Sequence, residues 1–122
     1  MILLPEILTE SCDGQTAHLR LRVPPELAHF PGHFPSNPLL PGVVQIDWAV
    51  RLAERHFNLP RQRFSQLKGL KFTSPVLPGT ELDAQLTWLE EKSRLEFTFS
   101  AGSRACAAGQ IVFSACPDQP AP

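Results

Sequence analysis

The sequence contains no tyrosine, one methionine, two tryptophans and three cysteines in 122 residues. Cys12, Cys106 and Cys116 are odd in number, widely spaced and free of any C-x-x-C pattern, so neither a disulfide framework nor a zinc knuckle is indicated and a reducing compartment fits. Excess charge is missing too: 11 basic against 12 acidic residues leave a net charge of -1, which gives no global attraction for a polyanion and no reason to expect a nucleic-acid partner. No apolar run approaches the roughly 20 residues of a membrane span, and MILLPEIL has neither the basic start nor the apolar length of a signal peptide. The expectation is a cytoplasmic protein without a membrane span.

What is present describes an ordinary globular chain, with 43% hydrophobic and 19% charged residues. Its length suits one core, and we expect a single domain over residues 1–116 with a frayed tail over 117–122. Charge is nevertheless uneven. Residues 51–71 hold Arg51, Arg55, Arg61, Arg63, Lys68 and Lys71 against Glu54 alone. Such a cluster can steer an acidic partner, or it can be a solvated helix end and loop.

Residues 15–23 alternate, with Ala17, Leu19, Leu21 and Val23 on one face and Thr16, His18, Arg20 and Arg22 on the other. The period of two predicts a half-buried strand. Residues 80–89 repeat it, with Leu82, Ala84, Leu86 and Trp88 inward. Residues 94–99 and 104–113 read as two further strands joined by a turn at Gly102, with Ala105, Ala107, Gly109, Ile111 and Phe113 inward. Another strand is expected over 66–74, ended by Ser74-Pro75 and Leu77-Pro78-Gly79.

One segment reads as a helix, from Gly42 to about His56, with Pro41 suited to the first turn, where its missing N–H costs nothing. Its apolar positions surround most of the circumference. That pattern fits a helix enclosed by a curved sheet or covered by a second subunit, not an amphipathic surface helix. The expected class is α+β, an antiparallel sheet wrapped around one long central helix.

The chemistry concentrates in residues 29–50. Pro31 and Pro35 restrict the backbone around His33, which suits a fixed base, although a lone histidine in a turn is more often a structural residue. His29 and His33 have an H-x3-H spacing that binds zinc on a helix, but Pro31 and Gly32 oppose a helix there and no third ligand is near. Asp47 lies in the most apolar part of the helix, too far in to cap it. It is either a functional acid, raised in pKa by its setting, or half of an Asp47–Arg51 pair in a polar stripe. The Gly42 N–H, at the helix start, lacks an intrahelical partner and can hold an oxyanion. Taken together, base, oxyanion donor and acid suit removal of a proton beside a thioester carbonyl with acid-assisted loss of a β-hydroxyl.

The stretch GHFPSNPLLPGVVQID, residues 32–47, resembles the catalytic segment of the hotdog-fold 3-hydroxyacyl-[acyl carrier protein] dehydratases, in which a loop histidine precedes a PGV-type helix start and a helix acid. A second stretch, LKFTSPVLPGT over residues 70–80, is similar to the family's KF..PV.PGD segment. Within the family, QIDWA most resembles the aryl-polyene-type branch, which acts on chains bound to a carrier protein. The resemblance implies a hotdog fold, dehydration of 3-hydroxyacyl thioesters on an acyl carrier protein to trans-2-enoyl thioesters in fatty acid or polyene-type biosynthesis, and no metal or organic cofactor. It implies His33 as base, Asp47 as acid and Gly42 N–H as the carbonyl donor, with His33 of one subunit near Asp47 of the other in a dimer, homo- or heteromeric. Phe34, Trp48 and Phe72 are candidates for the substrate tunnel, and Arg61, Arg63, Lys68 and Lys71 for the carrier-protein contact.

Three positions depart from the pattern. Ser36 replaces a usual glycine, Asp47 stands where the commonest branch has glutamate, and Arg51 occupies the place of a glutamine that orients the acid. An Arg51 contact would favour the carboxylate and weaken Asp47 as a proton donor. A hotdog thioesterase is the rival enzyme, with Asp47 activating water, though it needs no loop histidine at this spacing. A non-catalytic acyl-binding partner subunit is the rival of another class, and the intact His33 and Asp47 oppose it.

Overall fold

The computed structural model describes residues 4–24 and 40–114; His29, His33, Phe34 and the tail over 117–122 lie outside the described residues. In chain order the elements are β1 (Glu6–Asp13), β2 (Thr16–Arg22), α1 (Gly42–Phe57), β3 (Phe64–Phe72), β4 (Glu81–Leu89), β5 (Arg94–Ala101) and β6 (Arg104–Phe113), with 3₁₀ turns at Arg61–Arg63 and Glu90–Lys92. The strands form one antiparallel sheet in the order β1-β2-β4-β5-β6-β3. The inward residues of β2, β4 and β5 pack with one face of α1 in a common core. This is the hotdog arrangement that the sequence resemblance implies.

The alternating patterns build that core. Leu19, Leu21, Leu82, Leu86, Leu95, Phe97 and Phe99 are each no more than 3% exposed, and each such side chain contributes roughly 1.5–3 kcal/mol by leaving water. Two hairpins fix the register. Both have two-residue loops that begin with a glycine at positive φ, Gly14 at 63° and Gly102 at 61°, a geometry that a side chain would strain.

The structure departs from expectation in five places. β1 has no counterpart in the sequence reading, because it is an edge strand whose residues are nearly all exposed and so carry no clear period of two. Strand β3 runs over 64–72 instead of 66–74, and Thr73 N–H already turns to the Cys106 carbonyl at 2.9 Å. In β6 it is Cys106 that is buried and Ala105 that is exposed, since a bulge opposite Phe99 and Ser100 inserts one residue and reverses the alternation. Pro41 precedes the helix as its N-cap, with extended dihedrals, instead of occupying its first turn. Finally, α1 is not enclosed all round within the chain. Val44, Trp48, Ala49, Leu52 and Ala53 are buried, but Val43 is 73% exposed and the Asp47 and Arg51 side chains are about half exposed.

The C-terminal turn of α1 is tied to the edge strand. Arg55 donates from Nε and Nη2 to the two Glu10 oxygens at 2.9 and 2.7 Å, and His56 Nε2 lies 3.2 Å from Glu10 Oε1. The Arg55 hydrogen bonds, opposed by partial desolvation and aided by the charges of Arg55 and His56, hold the Glu10 carboxyl below the usual carboxylate range. A depressed folded-state pKa means that the stabilisation is complete above the unfolded value and is lost as pH falls through the folded one. Glu10→Gln should therefore lower the thermal midpoint at pH 7, with the gap to wild type closing as pH drops through the carboxylate range. A gap that stays constant with pH would contradict the ionic role.

Candidate active site

Helix α1 begins without a side-chain cap. Its first bonds run from Val44 N–H and Gln45 N–H to the Pro41 carbonyl at 3.1 and 3.2 Å, so the Gly42 and Val43 amides precede the intrahelical ladder and carry the positive end of the dipole. Leu40 N–H is held by the Val76 carbonyl at 2.8 Å. This bond pins the helix entry to the segment that leaves β3.

Phe72, the last residue of β3, lies over Gly42. A Cβ on Gly42 would stand 2.7 Å from Cε2 and Cζ of the Phe72 ring, so the helix start and the strand end approach this closely only because residue 42 has no side chain. Beside them is a groove of about 290 Å³ lined by Leu40, Gly42, Gln45, Phe72, Thr73, Ser74 and Pro75.

Asp47 opens to a neighbouring groove of about 320 Å³, whose other walls are Val43, Ile46, Val50, Arg61 and Phe64. The acid thus lies among apolar side chains, as its sequence context implies, but its side chain remains 45% exposed and Arg51 Nε donates to Oδ2 at 2.7 Å. The i, i+4 pair occupies one carboxylate oxygen and leaves Oδ1 without a hydrogen bond to the described residues. Of the two readings of Asp47 made from sequence, the geometry shows the Asp47–Arg51 pair.

The remaining candidates separate. Trp48, proposed for the tunnel, is fully buried in the core and also lines a hollow with Leu4, Ile7 and Leu52. Phe72 is 46% exposed at the helix start, whereas Phe34 and His33 lie outside the described residues. Of the basic cluster, Arg61 shares the Asp47 groove and Arg63 donates from Nε to the Ser114 carbonyl at 2.8 Å. Lys68 is exposed on β3, and Lys71 lines a polar hollow with Gln85, Glu96 and Thr98. Gln45 was not singled out in the sequence, although it is the one polar side chain buried among the described residues. Its signal was a lone amide within Val43-Val44-Gln45-Ile46.

Replacing Gly42 tests the helix start. In Gly42→Ala the methyl group displaces the exposed Phe72 ring, while helix propensity gains roughly 0.5–1 kcal/mol. The thermal midpoint should stay within a few degrees of wild type, while turnover falls by about tenfold or more because the groove changes shape. Unchanged turnover would show that the close approach of Phe72 to residue 42 does not matter to the site, since alanine keeps the backbone N–H.

Comparison with known proteins follows the same lines. A family model described as ApeI-like, ApeI dehydratase, matches residues 9–110. Among curated proteins, the 3-hydroxyacyl-[acyl-carrier-protein] dehydratase FabZ of Vibrio parahaemolyticus is 31% identical over 94 residues, covering 70% of this chain and 61% of that protein. FabZ of Novosphingobium aromaticivorans is 34% identical over 74 residues, covering 54% of this chain and 47% of that protein. The chain thus spans between 47% and 61% of the length of these curated relatives. Among solved structures, a chain of the dehydratase heterocomplex ApeI:P from Xenorhabdus doucetiae is 34% identical with a TM-score of 0.83, covering 90% of this chain and 97% of that one. An uncharacterized protein from Erwinia carotovora is likewise 34% identical, with a TM-score of 0.78 and coverage of 91% and 96%. The chain belongs to the ApeI-like dehydratase family.

Proposed function

We propose that the protein dehydrates 3-hydroxyacyl thioesters carried by an acyl carrier protein, giving trans-2-enoyl thioesters for fatty acid or polyene-type biosynthesis. The observation that carries this reading is the placement of Asp47 in an apolar groove beside a helix start whose first two amides have no intrahelical partner. A helix N-terminus stabilises the oxygen of an enolate-like intermediate, and a carboxyl in the next groove serves the group that leaves.

In this reading His33 removes the proton on the carbon beside the thioester carbonyl. The Gly42 N–H holds the carbonyl oxygen as negative charge develops there. The bond between the β-carbon and its oxygen then breaks, Asp47 gives its proton from Oδ1 to the departing hydroxyl against the pull of Arg51 toward the carboxylate, and water leaves. The His33 proton returns to the Asp47 carboxylate through solvent, and the cycle closes without a metal or organic cofactor.

A second subunit completes the site. Its support is the exposed apolar surface around Asp47, where Val43 is 73% and Phe64 38% exposed, together with β3 at the edge of the sheet. Burying Val43 and Phe64 against a partner would remove the apolar exposure that the single chain leaves. The similarity to a chain of the ApeI:P heterocomplex supports a partner of this kind, identical or related. Arg61 in the Asp47 groove, with Arg63 and Lys68 near it in sequence, forms the contact for an acidic carrier protein, and Lys71 extends it along β3.

A mass assay with 3-hydroxyacyl-loaded acyl carrier protein tests the reaction. Loss of one water from the loaded carrier is the expected outcome, and Asp47→Asn should slow it by about 10²-fold or more, in the range of a lost general acid. Release of free carrier thiol without the enoyl product would instead indicate a thioesterase. No turnover by the purified, folded protein, alone or with its partner, would indicate an acyl-binding subunit.

A further inference from the structure

Gln45 stands three residues after Gly42 and is only 3% exposed. Its Nε2 donates to the Leu40 carbonyl at 3.4 Å. That contact also decides which end of the amide is oxygen, because the end that faces a carbonyl must carry the N–H. Oε1 is then buried without a hydrogen-bond partner among the described residues. Native structures leave few such atoms unsatisfied, and one at a candidate site calls for something to fill it.

Gln45 and Gly42 line the same groove, with Phe72, Thr73 and Ser74 along it. The groove therefore has the N–H donors of the helix start at its wall, and Gln45, which also lines it, holds an unpaired acceptor buried behind that wall. An anion would suit the donors but be repelled by Oε1. A carbonyl alone would leave Oε1 unpaired. A chain that presents a carbonyl followed at short distance by an N–H satisfies both.

We propose that Gln45 is a specificity-determining residue of this site. Its Oε1 accepts the N–H of the secondary amide that follows the thioester sulfur in the carrier arm, while the helix start holds the thioester carbonyl. The inference rests on the dehydratase reading and adds the chemistry by which the carrier arm is told from a plain alkyl thioester.

The test compares two 3-hydroxyacyl thioesters with the same acyl chain, one on N-acetylcysteamine and one on pentanethiol, which matches it in length but lacks the amide. The wild-type protein, with its partner subunit if it requires one, should show kcat/KM about tenfold higher for the amide-bearing thioester, the size of one net hydrogen bond. Gln45→Met should bring the ratio toward one, chiefly through KM for the amide-bearing substrate. Equal kcat/KM for the two thioesters in the wild type overturns the proposal, and that comparison needs no variant to fold. A Gln45→Met protein that loses activity on both and keeps the ratio overturns it as well, showing Gln45 to be structural. Dehydration of neither thioester, nor of the 3-hydroxyacyl-loaded carrier protein, defeats the dehydratase reading itself, and the proposal with it; dehydration of the loaded carrier but of neither small thioester, or of both without preference, defeats only the role of Gln45.

Discussion

The burial of one face of α1 against the inner face of the sheet sets the rest of the site. Trp48, Ala49 and Ala53 are fully buried and Leu52 is 4% exposed, and with 3.6 residues per turn this fixes the rotation of the whole helix. Once these side chains point inward, Val43, Asp47 and Arg51 must share the opposite face. Rotating the helix to hide Asp47 would expose Trp48, whose burial is among the largest single apolar contributions available to a side chain. The acid is therefore presented by the core, and its exposure in one chain follows from packing.

The same constraint explains the division of the site between two grooves. Gly42 and Gln45 look toward the end of β3, where Phe72 can lie over the backbone because residue 42 is glycine. Asp47 looks toward Phe64 and Arg61. The helix holds the N-terminal amides, Gln45 and Asp47 on one rigid element, as the proposed site needs. Arg51 adds a restraint of its own. It donates to Oδ2 at 2.7 Å and leaves Oδ1 without a hydrogen bond to the described residues.

Much of this was legible in the sequence, for identifiable reasons. β2, β4 and β5 each bury one face and leave the other in water, so their period of two is written plainly in Leu19-Leu21, Leu82-Leu86 and Leu95-Phe97-Phe99. The helix and its turn residues were legible because Pro41 and the apolar run mark its start. β1 was hidden because an exposed edge strand has no inward face to pattern, and the burial of Cys106 was hidden because a bulge is a property of pairing and leaves no local trace. Asp47 could be found as an acid among apolar neighbours and its pairing with Arg51 from their i, i+4 spacing, but not which covering the helix has, since a helix that is apolar all round reads alike whether a sheet or another subunit covers it. Gln45 escaped because an amide in an apolar run carries no charge to draw notice, and only its orphaned oxygen reveals it.

The central claim is that Asp47, on the face the core leaves open, is half of a site completed by another subunit. Mixing two inactive variants, His33→Ala and Asp47→Asn, under conditions that allow subunit exchange measures this directly. If the base and acid come from different subunits of a homodimer, mixed dimers hold one intact site, and dehydration should recover to about a quarter of the wild-type rate at equal mixing. If both residues act within one chain, every site keeps a lesion and mixing restores nothing, and for a protein that is active as a dimer of this chain alone that result would contradict the account.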